Sequence, residues 1–307
     1  MVPGHVRKWP DPQRIIGDFD HQRALKDGLD VPSSRPEVPI PIGEVGITDN
    51  TFWLKLKTGL TPFRGELTLA LPQDRRGIHM SRIEEKIEAM GKHAVETPME
   101  YAIDLLRSVL QSQPGEGGTI AIEGEVPMVR ETPFSGKRSL ESLWVRVQAK
   151  MRPIPDDSSI EYGVGLHHMT TCPCTQEYNR VVFGKNGEKG VPMPTHSQRS
   201  FTTLMIEGPL APDGSFCSVS LEELVGILEG ALHVTQGLLK RPDEAELVLK
   251  AHMRPQFVED VVRAVARLAK ERLGGRLTGE GVFLNIETLS LESIHTHNVK
   301  AALRIAL

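Results

Sequence analysis

Thr-Thr-Cys-Pro-Cys-Thr at 170–175 places two thiols two residues apart, directly after a predicted strand. A disulfide between them would close a strained ring. A structural zinc site needs four ligands, commonly two cysteine pairs, and the chain has no second pair. What is left is one thiolate acting as ligand or nucleophile, or Cys172 and Cys174 as small buried hydrophobes. Cys217 has no reactive company and reads as structural. His196, in Pro-Thr-His-Ser-Gln-Arg, falls at the mouth of the next strand, where loop residues commonly meet ligands. A lone loop histidine is nevertheless more often a plain surface residue. His295 and His297, in Glu-Ser-Ile-His-Thr-His, have the i, i+2 spacing that aims both at one side of an extended chain, with Glu292 just upstream. Glu244 in Lys-Arg-Pro-Asp-Glu suits holding a cation, and Glu259 in Phe-Val-Glu-Asp-Val-Val sits beside an apolar stripe. Each, taken singly, reads first as an exposed helix-end acid. Seven of the eleven histidines lie at or beyond residue 167 and all three cysteines lie in the second half, so a site is expected there.

The elements that must position these groups follow from periodicity. Residues 51–57 and 64–71 read as strands, followed by a helix over 81–93. A second helix opens at Thr97, with Pro98 at its first position and Glu100 at its third, a capping box with proline in its favoured place. Two more strands follow, 119–126 and 141–151. The same order then recurs: strands at 160–169 and 199–208 with a long Pro/Gly/Lys loop between them, and a helix capped by Ser220 and Glu223. The Lys240–Glu244 segment reads as the end of a helix. Another helix starts near Pro255 with Phe257, Val261, Val265 and Leu268 on its apolar side, and strands at 282–289 and 299–307 close the pattern. The fold class is therefore α+β, a tandem duplication of a ββααββ unit. A Pro-rich extended arm occupies 1–45, a first unit 46–155, and a second unit 156–307. Small sheets with two open edges favour closing a barrel with other copies of the chain.

Composition bounds the rest. The chain has 307 residues, 25% of them charged, and a net charge of -4. That balance argues against nucleic-acid binding through overall charge. No run of 18 apolar residues exists to span a bilayer, and the N-terminus lacks the apolar region of a secretory signal. Three cysteines cannot build a disulfide framework, which points to a reducing, cytoplasmic setting.

Six segments, taken together, resemble the type IB GTP cyclohydrolases of bacteria and their archaeal relatives: 77–82 (GIHMSR), 170–174 (TTCPC), 195–199 (THSQR), 238–244 (LLKRPDE), 254–260 (RPQFVED) and 292–297 (ESIHTH). They occur in the family's order. The resemblance implies the tunnelling fold, built from tandem ββααββ units, and a homotetramer with active sites at subunit boundaries. It implies Cys172, His196 and Glu244 as ligands of one divalent metal, whether Zn, Mn or Fe(II). It implies Glu259 as a carboxylate close to the metal, as base or ligand, Glu292 as the anchor of the purine ring, and His295 and His297 as the active-site pair. Arg199, Lys240 and Arg241 are candidates for the triphosphate, with His79 and Arg82 contributed by a neighbouring subunit. His196-Ser197-Gln198-Arg199 departs from the family's usual H-N-Q-R, and the segment between Cys172 and His196 is longer than in the common bacterial form.

The implied reaction opens the guanine imidazole ring of GTP, releasing formate and forming 7,8-dihydroneopterin triphosphate for pterin and folate synthesis. The archaeal branch forms a cyclic phosphate of dihydroneopterin instead. A nitrile reductase of the tunnelling fold would use a cysteine nucleophile and NADPH without a catalytic metal, which the Cys/His/Glu set argues against. A non-catalytic purine- or pterin-binding oligomer would need a closed four-ligand zinc site.

Overall fold

Alternating apolar residues along the strands build one helix-covered face. The computed structural model describes residues 16–113, 115–153, 157–184, 190–216, 219–277 and 281–307. Helix α1 (Asp18–Asp27) precedes β1 (Ile42–Leu56), β2 (Gly59–Leu71), α2 (Met80–Met90), α3 (Pro98–Ser112), β3 (Gly118–Glu131) and β4 (Arg138–Met151). The second half runs β5 (Ser159–Thr171), α4 (Pro173–Phe183), β6 (Ser197–Pro209), α5 (Leu221–Ala231), β7 (His233–Val234), α6 (Arg241–Met253), α7 (Val258–Leu273), β8 (Phe283–Leu291) and β9 (Val299–Ala306). The strands form one antiparallel sheet in the order β1-β2-β3-β4-β5-β6-β8-β9, with β7 paired to β5. On β4, Leu143, Val145, Val147 and Ala149 are buried, and on β5, Ile160, Tyr162, Val164 and Leu166. Against this face α3 packs on β3 and β4, α5 on β5 and β6, and α7 on β8 and β9. The two halves share a single apolar core. They are joined by β4–β5 pairing from Trp144↔Gly165 to Lys150↔Ser159.

Of each expected capping box the N-cap half forms, the Thr97 and Ser220 side chains each accepting from the N3 N–H. Thr97 Oγ1 accepts from Glu100 N–H at 3.1 Å, and the Glu100 carboxylate accepts from the Glu96 N–H at 2.7 Å. Ser220 Oγ accepts from Glu223 N–H at 3.2 Å. The helix capped by Thr97 buries Met99, Ile103 and Leu106.

Four local readings are corrected. Lys240–Glu244 opens α6 instead of ending a helix, because Pro242 in the first turn lacks only an N–H that would have no partner there. The Pro/Gly/Lys stretch before β6 begins as helix α4, with Pro173 in its first turn. Phe257 caps α7 and is 40% exposed, so the apolar stripe of that helix begins one residue later, at Val258. The arm before β1 contains α1, which buries none of its residues. Residues 1–15 and Cys217 lie outside the described residues. Among the described residues, no helix is long and apolar enough to cross a membrane.

Beyond Gly165, β5 parts from β4. Its last turn of strand lies between β6, paired down to Thr171↔Ser197, and β7, paired at His168↔Val234. That divergence carries the Thr-Thr-Cys segment to the end of the sheet.

Candidate functional site

Strand ends, a helix start and one loop converge at this end of the sheet. Cys172 directly follows β5 and caps α4. Its N–H donates to the His196 carbonyl at 3.1 Å, and Thr195 Oγ1 donates to the Cys172 carbonyl at 2.7 Å. The thiol-bearing and imidazole-bearing segments are thus fixed to each other through the backbone. Thr175 Oγ1 donates to Cys172 Sγ at 3.7 Å. Behind them, Thr171 Oγ1 donates to the Ala251 carbonyl at 2.8 Å and the Gln256 N–H donates to the Thr171 carbonyl at 3.2 Å. These bonds tie the α6–α7 connection to β5 and bring the first turn of α7, with Glu259, to the cavity. A carboxylate there is favoured by the partial positive charge of the helix N-terminus.

A cavity of about 230 Å³ is lined by Cys172, His196, Glu259, Glu292, His295 and His297, among others. The chain thereby brings together six of the residues singled out in the sequence. His196 and His295 meet edge to face, with centroids 6.1 Å apart. His295 and His297 stack at 5.3 Å. Ligand atoms of His196, Glu292 and His295 lie within 4.8 Å of one another, close enough to share a metal ion. Ser290 Oγ donates to Glu292 Oε1 at 2.9 Å, and His196 Nδ1 is 3.0 Å from Gln198 Oε1. His295, His297 and Glu259 are exposed in the single chain, while Cys172, His196 and Glu292 are half-buried.

The helix-covered face of β5, β6 and β8 turns polar beside this cavity. Thr170 Oγ1 and Ser200 Oγ are 2.9 Å apart. His168 Nε2 lies 2.7 Å from Thr202 Oγ1, which is 2.8 Å from Thr288 Oγ1. All five of these side chains are at most 2% exposed. Burial pushes the His168 imidazole down to about 3, so the ring is neutral inside its hydroxyl chain.

Other predicted residues are not in this cavity. Glu244 is exposed on the first turn of α6, with Lys240 capping that helix and Arg241 beginning it. Arg199 is exposed and lines a separate cavity of about 280 Å³ with His167, Arg130 and Glu141. His79 and Arg82 lie at the start of α2, in the first half. There His79 Nε2 is 3.3 Å from Ser33 Oγ, and Arg82 donates to the Ser112 carbonyl. Cys174 is exposed. Sequence reasoning missed Thr170, Gln198, Gln256 and Ser290, all of which line the cavity. Three of them had a legible signal: Thr170, Gln198 and Ser290 each stand two residues from a chosen residue along an extended chain, the spacing that returns to the same side.

Residues 29–301 match the family model described as Type I GTP cyclohydrolase folE2. GTP cyclohydrolase MptA of Methanocaldococcus jannaschii is 31% identical over 301 residues, covering 89% of this chain and 93% of that protein. GTP cyclohydrolase MptA of Thermoplasma volcanium is 29% identical over 288 residues, covering 91% and 95%. Among solved structures, a uricase from Arthrobacter globiformis superposes over 87% of this chain and 94% of its own with a TM-score of 0.49 at 9% identity.

Proposed function

The chain belongs to the type I GTP cyclohydrolase family, and on that premise we propose that it hydrolyses GTP to formate and 7,8-dihydroneopterin triphosphate. The observation that supports this reading is one cavity gathering a thiol, imidazoles and two carboxylates, all from the second half of the chain.

The donor set fits a divalent metal. Thiolate, imidazole and carboxylate together suit Zn, Mn or Fe(II) to differing degrees, and ligand atoms of His196, Glu292 and His295 already stand within 4.8 Å of one another. In our assignment Cys172 and His196 hold the metal. Glu244, outside this cavity, would complete the set from a second copy of the chain. When bound, such an ion supplies a Lewis acid that makes water nucleophilic at neutral pH.

The chain's own groups do the rest. Glu259 accepts the proton of the water that adds to C8 of the guanine. His295 and His297 donate protons to the imidazole nitrogens as the ring opens and formate leaves. Guanine presents two parallel donors, N1–H and the exocyclic N2–H. The Glu292 carboxylate accepts both, which selects against adenine.

A cavity of about 230 Å³ is below the roughly 300–1,000 Å³ usual for small-molecule sites. A nucleoside triphosphate therefore needs further wall and further cations. This supports a homo-oligomer, a tetramer in our reading, with the site at a subunit boundary and the tunnelling-fold sheets closing edge to edge. His79, Arg82, Arg199, Lys240 and Arg241 are the cations we assign to the triphosphate.

The deciding experiment is incubation of purified protein with GTP, followed by formate assay, product mass and metal analysis. Formate with a triphosphate product supports the proposal. No formate refutes it. A cyclic-phosphate mass would establish the archaeal-type product, the second reading, which the long segment between Cys172 and His196 supports.

A further inference from the structure

We infer that Gln198 is a positioning residue that fixes the tautomer and ring orientation of His196 for metal binding. The inference rests on the reading of His196 as a ligand. A neutral imidazole has one N–H donor and one lone-pair acceptor, and only the nitrogen with the free lone pair can bind a metal. His196 Nδ1 stands 3.0 Å from Gln198 Oε1, a carbonyl oxygen that can only accept. The proton therefore belongs on Nδ1, and Nε2 keeps its lone pair for the ion.

The surroundings hold this arrangement in place. Gln198 is half-buried, belongs to β6 and is in register opposite Thr170 of β5, so its backbone is fixed by the sheet. The Cys172 N–H bond to the His196 carbonyl fixes the backbone of His196 itself. The Gln198 and His196 side chains line the same cavity. An imidazole left to rotate would present the wrong nitrogen part of the time and hold a metal less tightly. Loss of such a partner typically lowers metal affinity about 10–100-fold.

The test compares metal binding by the full-length protein without GTP, using Co(II) and Zn(II) in chelator competition, for wild type, Gln198→Met and Gln198→Glu. Methionine keeps the length but removes the strong acceptor, whereas glutamate retains it. The expected result is ~10–100-fold weaker binding for Gln198→Met, with an altered Co(II) absorption spectrum. Gln198→Glu should retain wild-type affinity and spectrum. A side chain needed only for packing would not be rescued selectively in this way. If Gln198→Met binds Co(II) as wild type does, with the same spectrum, the inference is overturned while the proposed function stands. If Gln198→Met does not fold, the glutamate variant decides, and a tenfold loss there overturns the inference. If wild type itself binds neither metal, both the inference and the metal-dependent reading fall.

Discussion

His295 stacks on His297, with ring centroids 5.3 Å apart and planes 22° from parallel, and it also meets His196 edge-on. The two histidines of the loop are thus unequal: His295 adjoins a proposed metal ligand and belongs to the cation-competent group, whereas His297 does not. His295→Ala should lower the rate of formate release by ~10²–10⁴-fold, the range for loss of a general acid. His297→Ala should lose less. Single-turnover formate assays on both variants check the order, and equal losses would refute it.

Cys172→Ala should abolish formate release and lower bound metal, and Cys174→Ala should do neither to a comparable degree. Cys172 lines the cavity, while Cys174 is exposed on α4. Elemental analysis of the two variants, purified identically, measures the difference. Wild-type metal content and activity in the Cys172 variant would remove that residue from the ligand set.

Glu292→Gln should weaken GTP binding more than it changes metal content. An acceptor oxygen becomes an NH₂ donor facing a guanine donor, a mispairing worth ~1–3 kcal/mol. Ser290→Ala removes the bond that orients Glu292 Oε1 and should show a smaller loss in the same direction. Titration calorimetry with GTP is the check, and normal affinity in the glutamine variant would exclude Glu292 as the purine anchor.

Glu259→Gln should reduce kcat by ~10²–10⁴-fold with little change in metal stoichiometry, since a base acts mainly in the transition state. Loss of the metal in this variant would instead make Glu259 a resting-state ligand, and a histidine would have to be the base.

His168 links pH to stability. Burial lowers its folded value from the ordinary 6.5 to about 3, so the unfolded chain binds its proton more readily. The stabilisation is fully present above about pH 6.5 and is lost as pH falls from there toward about 3. At about 1.4 kcal/mol per pH unit, the loss between pH 6.5 and 5 is about 2 kcal/mol. Denaturant midpoints should therefore drop more steeply over that interval in wild type than in His168→Gln. Parallel pH dependences would contradict a buried neutral imidazole.

Much of this was legible in the sequence because local rules sufficed. The Thr97 and Ser220 caps and the alternation along β4 and β5 are short-range signals, and the structure realises each of them. Helix starts at Pro173 and Lys240 were hidden because proline and charged residues look like loop while also suiting a first helical turn. The site was legible as residue types, since Cys172, His196, Glu259, Glu292, His295 and His297 do meet. The polar floor was not. Thr170, Ser200, Thr202, Thr288 and Ser290 sit at positions where strand alternation predicts apolar core, and only the three-dimensional register shows that they face one another. Glu244 illustrates the opposite limit: it lies exposed on the first turn of α6, outside the cavity, and no local pattern tells where in the fold a side chain will come to lie.

The β4–β5 seam has a consequence for cutting the chain in two. Seven residue pairs, from Trp144↔Gly165 to Lys150↔Ser159, close the sheet across the middle of the sequence. A break after residue 153 would leave each fragment with a long bare strand edge and half of a shared apolar surface, a combination that invites aggregation. Expressed separately, the fragments should be insoluble. Produced together, they should recover each other through that edge, so the two halves behave as complementary pieces and not as modules that can be exchanged.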